Sequence, residues 1–130
     1  MSKSKEEQLK ERYAEQVIMH IDSFGLGRWA VTIEGWDDEL DPLDMAVSSV
    51  NVPGRCASFY INTSEIIKEF GDMAEHFVDR AALHEVTHLL TSRLSDLAMR
   101  KRAVQEDLDE EIEAIAVAME KFVFGQAVVL

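Results

Sequence analysis

Leu83-His84-Glu85-Val86-Thr87-His88-Leu89-Leu90 decides how the rest of this chain is read. Its two histidines stand four residues apart inside a run with helical periodicity. Residues i and i+4 share one face of an α-helix, so both imidazoles project to the same side. Two neutral imidazoles at that spacing can bind one Zn²⁺, and a glutamate between them can act on a metal-bound water. His84 and His88 are therefore candidate metal ligands, and Glu85 is a candidate general base.

The periodicity extends outward from this stretch and predicts a helix over residues 73–94. Phe77, Ala81, His84 and His88 fall on one face. Leu83, Val86, Leu90 and Leu94 supply a second apolar surface. A helix apolar on most sides is buried, which suits one that must hold two ligands rigidly. Upstream, residues 6–24 read as an amphipathic helix, with Leu9, Tyr13, Val17, Ile21 and Phe24 at three- and four-residue steps. Gly25 and Gly27 stop it. Residues 29–34 alternate, with Trp29, Val31 and Ile33 on one face of a half-buried strand. Residues 37–42 form an acidic loop.

Residues 46–52 and 57–62 are two further strand-like runs. Pro53-Gly54 between them suits a tight turn, with Gly54 accepting positive φ, so the pair reads as a β-hairpin. Thr63-Ser64 is positioned to cap a short helix ending at Gly71, with Glu65 in its first turn. Beyond the motif helix, residues 95–105 are polar and contain Arg100-Lys101-Arg102. A last helix is expected over residues 106–124. Its core-facing residues would be Leu108, Ile112, Ile115, Ala116, Met119, Phe122 and Val123.

A catalytic zinc takes three protein ligands and keeps a fourth position open. The third must come from outside the pentapeptide. Glu106, Asp107, Asp109, Glu110, Glu111 and Glu113 crowd the start of the last helix. An apolar stripe centred near Ile112, Ile115 and Met119 has Glu111 at its border, Glu113 further round and Glu110 on the far side. Glu111 is thus the best placed of these acids to reach inward. The others suit the positive N-terminal end of any helix.

Other notable residues have plainer readings. His20 and His76 read as surface or partly buried histidines. Tyr60 would sit in an edge strand, as an ordinary strand aromatic rather than a transition-state donor. Cys56 has no Cys or His at ligand spacing and reads as a small residue after a turn. Trp29 and Trp36 read as core and rim packing.

Composition bounds the rest. The chain has 130 residues, of which 47% are hydrophobic, enough for one domain spanning residues 1–130 with an ordinary core. Its 25 acids against 13 bases give a formal net charge of -12, which repels phosphate backbones and argues against a nucleic-acid partner. No stretch approaches the roughly 20 apolar residues of a membrane span. The polar start has no signal-peptide core, and Cys56 is the only cysteine, so a reducing, cytoplasmic setting is expected.

Residues 83–90, followed 23 residues after His88 by Glu111-Ile112-Glu113-Ala114-Ile115-Ala116, resemble the small zincins with a glutamate third ligand. The chain is similar to minimal metallopeptidase domains of the ImmA/IrrE type and to short metallopeptidases encoded by phages and prophages. That resemblance implies an N-terminal helix, a small sheet, the motif helix and a Glu-bearing helix, in that order. It implies His84, His88 and Glu111 as ligands and Glu85 as base. The family tends to show Glu-Ala-Asn at the third ligand. Here the chain has Glu111-Ile112-Glu113, or Glu113-Ala114-Ile115 in another register, so both glutamates stay open.

The expectation is therefore an α+β fold, with about three strands packed on an N-terminal helix, an active-site helix and a C-terminal helix. The expected function is zinc-dependent hydrolysis of a peptide or protein substrate. An extended peptide would add to an edge strand near residues 58–62. A non-catalytic zinc-binding interaction or regulatory module of the same fold is the alternative. A metal-free, acidic interaction protein is a third reading.

Overall fold

A computed structural model of the chain describes residues 3–36, 40–52, 54–99 and 105–128. Part of the acidic loop (37–39), the Pro53 of the expected turn and the run Arg100-Lys101-Arg102 lie outside the described residues. Helix α1 spans Lys5–Ser23. The Ser4 side chain caps it, accepting from the Glu7 N–H at 3.2 Å. Leu9, Tyr13, Val17 and Ile21 turn inward as their spacing predicts. His20 is buried rather than a surface residue, because it shares that face one position before Ile21. Its ring packs between Phe24 and Phe122, with centroids 6.3 and 5.8 Å away. Burial holds its pKa below the usual histidine value.

Three strands follow: β1 (Ala30–Glu34), β2 (Ala46–Asn51) and β3 (Cys56–Ile61). The order across the sheet is β1-β3-β2, with β1 parallel and β2 antiparallel to β3. The β2–β3 hairpin matches the expectation, but its turn chemistry does not. Arg55, with φ of 50°, takes the left-handed position expected of Gly54. The Asn51 side chain accepts from the Gly54 N–H at 2.9 Å, closing the turn from the strand side.

A larger correction concerns β3. It is the central strand, not an edge, because β1 pairs along it from Ala30↔Cys56 to Glu34↔Tyr60. Tyr60 therefore lies in mid-sheet, and residues 58–60 have strands on both sides. The edge at this end of the sheet is β2. Alternation along the strands gives one inner face of Val31, Ile33, Ala46, Ser48, Val50, Ala57, Phe59 and Ile61. Ala57, Phe59 and Ile61 are buried there. The outer face is polar, with Thr32 and Ser58 hydroxyls 2.9 Å apart.

Helix α2 spans Thr63–Phe70 and is capped by Asn62, one residue earlier than expected. Asn62 makes a buried junction. Its Oδ1 accepts from the Glu65 N–H and the Ser64 hydroxyl, and its Nδ2 donates to the carbonyls of Pro42 and Asp44. Its backbone N–H donates to the Met45 carbonyl. Gly71, with φ of 51°, ends the helix as expected.

Helix α3 runs from Ala74 to Met99, five residues beyond the predicted end at 94. Its buried face holds Val78, Ala82, Val86 and Leu89. Arg12 of α1 grips Asp79 of α3 through two N–H···O bonds of 2.8 Å each. Helix α4 spans Gln105–Val128. Its inward stripe is Leu108, Glu111, Ile115, Ala118 and Phe122, whereas Ile112, Ala116 and Met119 are exposed. Apolar residues occur all round this helix, so hydropathy alone misplaced its phase. The class is α+β, as expected: a three-stranded mixed sheet packed with helices.

Asn62 ties α2, β3 and the segment before β2 together, so Asn62→Ala removes a cap and leaves two carbonyls without this donor. We expect a loss of about 1–2 kcal/mol, read as a lower midpoint in urea at unchanged slope.

Candidate metal centre

The structure brings His84, Glu85 and His88 together. The two Nε2 atoms are 3.1 Å apart, and the rings meet edge to face with centroids 4.7 Å apart. Glu85 Oε2 is 3.9 Å from His84 Nε2. One ligand atom from each of the three residues lies within 4.8 Å of the others. The donor set and spacing fit zinc. Two Zn–N bonds of about 2.0–2.1 Å at a tetrahedral angle place their nitrogens about 3.3 Å apart.

Glu85 lies on the buried face of α3 and is only 7% exposed. Burying a carboxylate costs several kcal/mol unless charge and hydrogen bonds compensate. Among the described residues its one hydrogen bond comes from Ser48 of β2, whose hydroxyl donates to Oε1 at 2.9 Å. A single neutral donor offsets only part of that cost. A cation beside Oε2 would offset far more, which is a second respect in which the site fits a metal. Tyr13 lies in the same interior. Burial, and then the charge of Glu85, push its phenol well above the usual range. It stays protonated, and its hydroxyl has no hydrogen-bond partner among the described residues.

The three residues open onto a cleft of about 600 Å³ between β2 and α3. Ala46, Ser48 and Val50 line the strand side. Thr91, Ser92 and Ser95 continue the helix side, and Asp44 stands at the entry to β2. An apolar recess of about 520 Å³ adjoins it, formed by Met45, Phe70, Phe77 and Ala81, with Arg80, His84 and Glu85. Phe70 and Phe77 stack there, 4.3 Å between centroids.

Glu111 is not among them. It is half-buried, while Glu110 and Glu113 are exposed, so it is the inward-facing acid of the three. Inward on α4, however, means toward Leu89, Leu90, Asp96 and Leu97, in a separate cavity of about 440 Å³. Leu90 and Leu97 lie roughly 140–160° round α3 from the histidines, at 3.6 residues per turn. Helix α4 thus packs on the other side of α3, and the structure does not bring Glu111 to the imidazoles. Asp44 is a carboxylate that does share their cleft. Its backbone is held by Asn62 Nδ2 on its carbonyl, at 3.2 Å, and by Asp41 through its N–H.

Sequence reasoning missed both Ser48 and Asp44. Ser48 did carry a signal: it is the one polar side chain between Ala46 and Val50 on the inner face of a strand. Asp44 carried none, since one acid in an acidic loop looks like any other. No protein-family model, curated protein or solved structure matches the chain.

Proposed function

We propose that this protein is a zinc-dependent peptidase with Glu85 as its general base. The observation that carries the reading is the pair of imidazole nitrogens 3.1 Å apart beside a buried carboxylate, in an open cleft under an edge strand. His84 and His88 hold the ion through Nε2. When bound, zinc supplies Lewis-acid polarisation of a carbonyl and makes water more acidic. Glu85 Oε2 takes the proton from water and later delivers it to the leaving amine.

An extended peptide adds to the edge of β2, whose outer side pairs with no strand among the described residues. This replaces the strand at 58–62 expected from the sequence. Docked there, the peptide runs above the cleft, and the apolar recess receives one of its side chains. A closed structural zinc site would need four protein ligands. Among the described residues only His84, Glu85 and His88 gather, and the cleft is open, which favours the catalytic reading over a purely structural one.

We take Asp44, in the cleft, as the third ligand in preference to Glu111 or Glu113, on α4. Asp44 lines the same cleft as the histidines, so its side chain would have only to turn inward to join His84 and His88, whereas Glu111 lines a separate cavity. Asp44→Ala should weaken zinc binding on the order of 100-fold, while Glu111→Ala and Glu113→Ala leave it near wild type. Metal loss on Glu111→Ala would mean that α4 reaches round to the histidine side of α3.

Protein purified without an affinity tag should carry about one Zn²⁺ per chain. His84→Ala and His88→Ala should each abolish it, as read by elemental mass spectrometry. Chelation should also lower the melting temperature, because the ion binds only the folded chain. Zinc retained in full by both variants would refute the site.

Glu85→Gln keeps the side chain's shape and removes its basicity. It should retain zinc and lose turnover on a cleavable peptide by on the order of 10²-fold or more. Equal rates for variant and wild type would exclude Glu85 as the base.

A further inference from the structure

We propose that Ser48 is the positioning residue for Glu85: its hydroxyl holds Oε1 and leaves Oε2 as the oxygen that exchanges protons. This rests on the reading of Glu85 as base. The two carboxylate oxygens differ in their surroundings. Oε1 accepts the Ser48 hydroxyl at 2.9 Å, while Oε2 faces His84 Nε2 at 3.9 Å. A general base must sit within hydrogen-bond reach of the proton it takes. Useful sites hold such groups to about 0.5 Å by contacts from a supporting shell. Burial on α3 confines the Glu85 side chain, but packing alone does not choose which carboxylate oxygen faces His84. Ser48 supplies the missing constraint from a different element.

The constraint is stiff because Ser48 is itself held. It sits in mid-strand on β2, paired with Phe59, which is fully buried. Its neighbours on the inner face, Ala46 and Val50, have no polar atoms that could replace the hydroxyl. Ser48 also belongs to the strand that would receive the peptide. Substrate docking and base placement then share one rigid segment. A peptide drawn onto β2 meets a base whose position is already set by β2.

The test compares zinc-loaded wild type, Ser48→Ala, Ser48→Thr, Glu85→Gln and the double variant Ser48→Ala/Glu85→Gln. Zinc content is measured first. Affinity for acetohydroxamic acid is then measured by calorimetry. This probe chelates zinc through its two oxygens and passes its O–H proton to a neighbouring base, so its affinity reads base placement without requiring turnover. Ser48→Ala should keep one zinc yet bind the probe on the order of 10-fold more weakly. Ser48→Thr should stay within about 2-fold of wild type, since it restores a hydroxyl. In the Glu85→Gln background, Ser48→Ala should have no further effect, because the oxygen it positions is no longer a base. On any peptide the wild type cleaves, Ser48→Ala should lower kcat by a similar factor at unchanged KM.

Unchanged probe affinity in zinc-loaded Ser48→Ala overturns the role of Ser48 alone. So does a loss of affinity that persists in the Glu85→Gln background, or one that merely tracks lost zinc. Wild-type protein without zinc, or Glu85→Gln with wild-type probe affinity, overturns the proposed function and the role of Ser48 with it.

Discussion

Burial of one face of α3 sets the rotation of that helix, and the site follows from the rotation. Val78, Val86 and Leu89 leave water completely. Each contributes about 1.5–3 kcal/mol by doing so. Successive residues are turned by about 100° in a helix. Turning Val86 and Leu89 inward therefore carries Glu85 inward as well, and leaves His84 and His88 exposed on the cleft side. The desolvation of Glu85 is a consequence of apolar packing beside it. The packing of three large side chains outweighs a cost of several kcal/mol, and Ser48 reduces that cost further.

The sheet order is the second determinant. With β3 in the middle, β2 becomes the edge next to α3, and its inner-face serine meets the glutamate. The parallel β1–β3 pairing, formed by residues far apart in sequence, thus decides which strand borders the histidine pair. The bidentate Arg12–Asp79 contact and the α1 stripe hold α3 against α1 on its other flank. A helix clamped on both sides can present two imidazoles at a constant separation.

Helix α4 illustrates where reading by pattern breaks down. Its acids and apolar residues are both abundant, and the apolar ones ring the helix. Hydropathy put the stripe near Ile112 and Met119; packing rotated it toward Glu111 and Ala118. That rotation turned Glu111 inward, as anticipated, but toward the side of α3 away from the histidines. A helical wheel reports which way a residue points from its own axis. It does not report on which side of the neighbouring helix that axis lies.

Local order in this protein was legible from the residues themselves. The i, i+4 histidines, the α1 stripe, the alternation in β1 and the hairpin all depend on neighbours within a few positions. Periodicity encodes those directly. The element order and the α+β class followed from them, as did His84, Glu85 and His88 as one constellation. The partners those residues meet were decided only by tertiary structure. That β3 is central, that Ser48 reaches Glu85, that Asp44 rather than Glu111 shares the cleft, and that His20 is buried each depend on which surfaces close on one another. Such closures are chosen by the summed burial of many distant side chains, and no short window of sequence contains that sum.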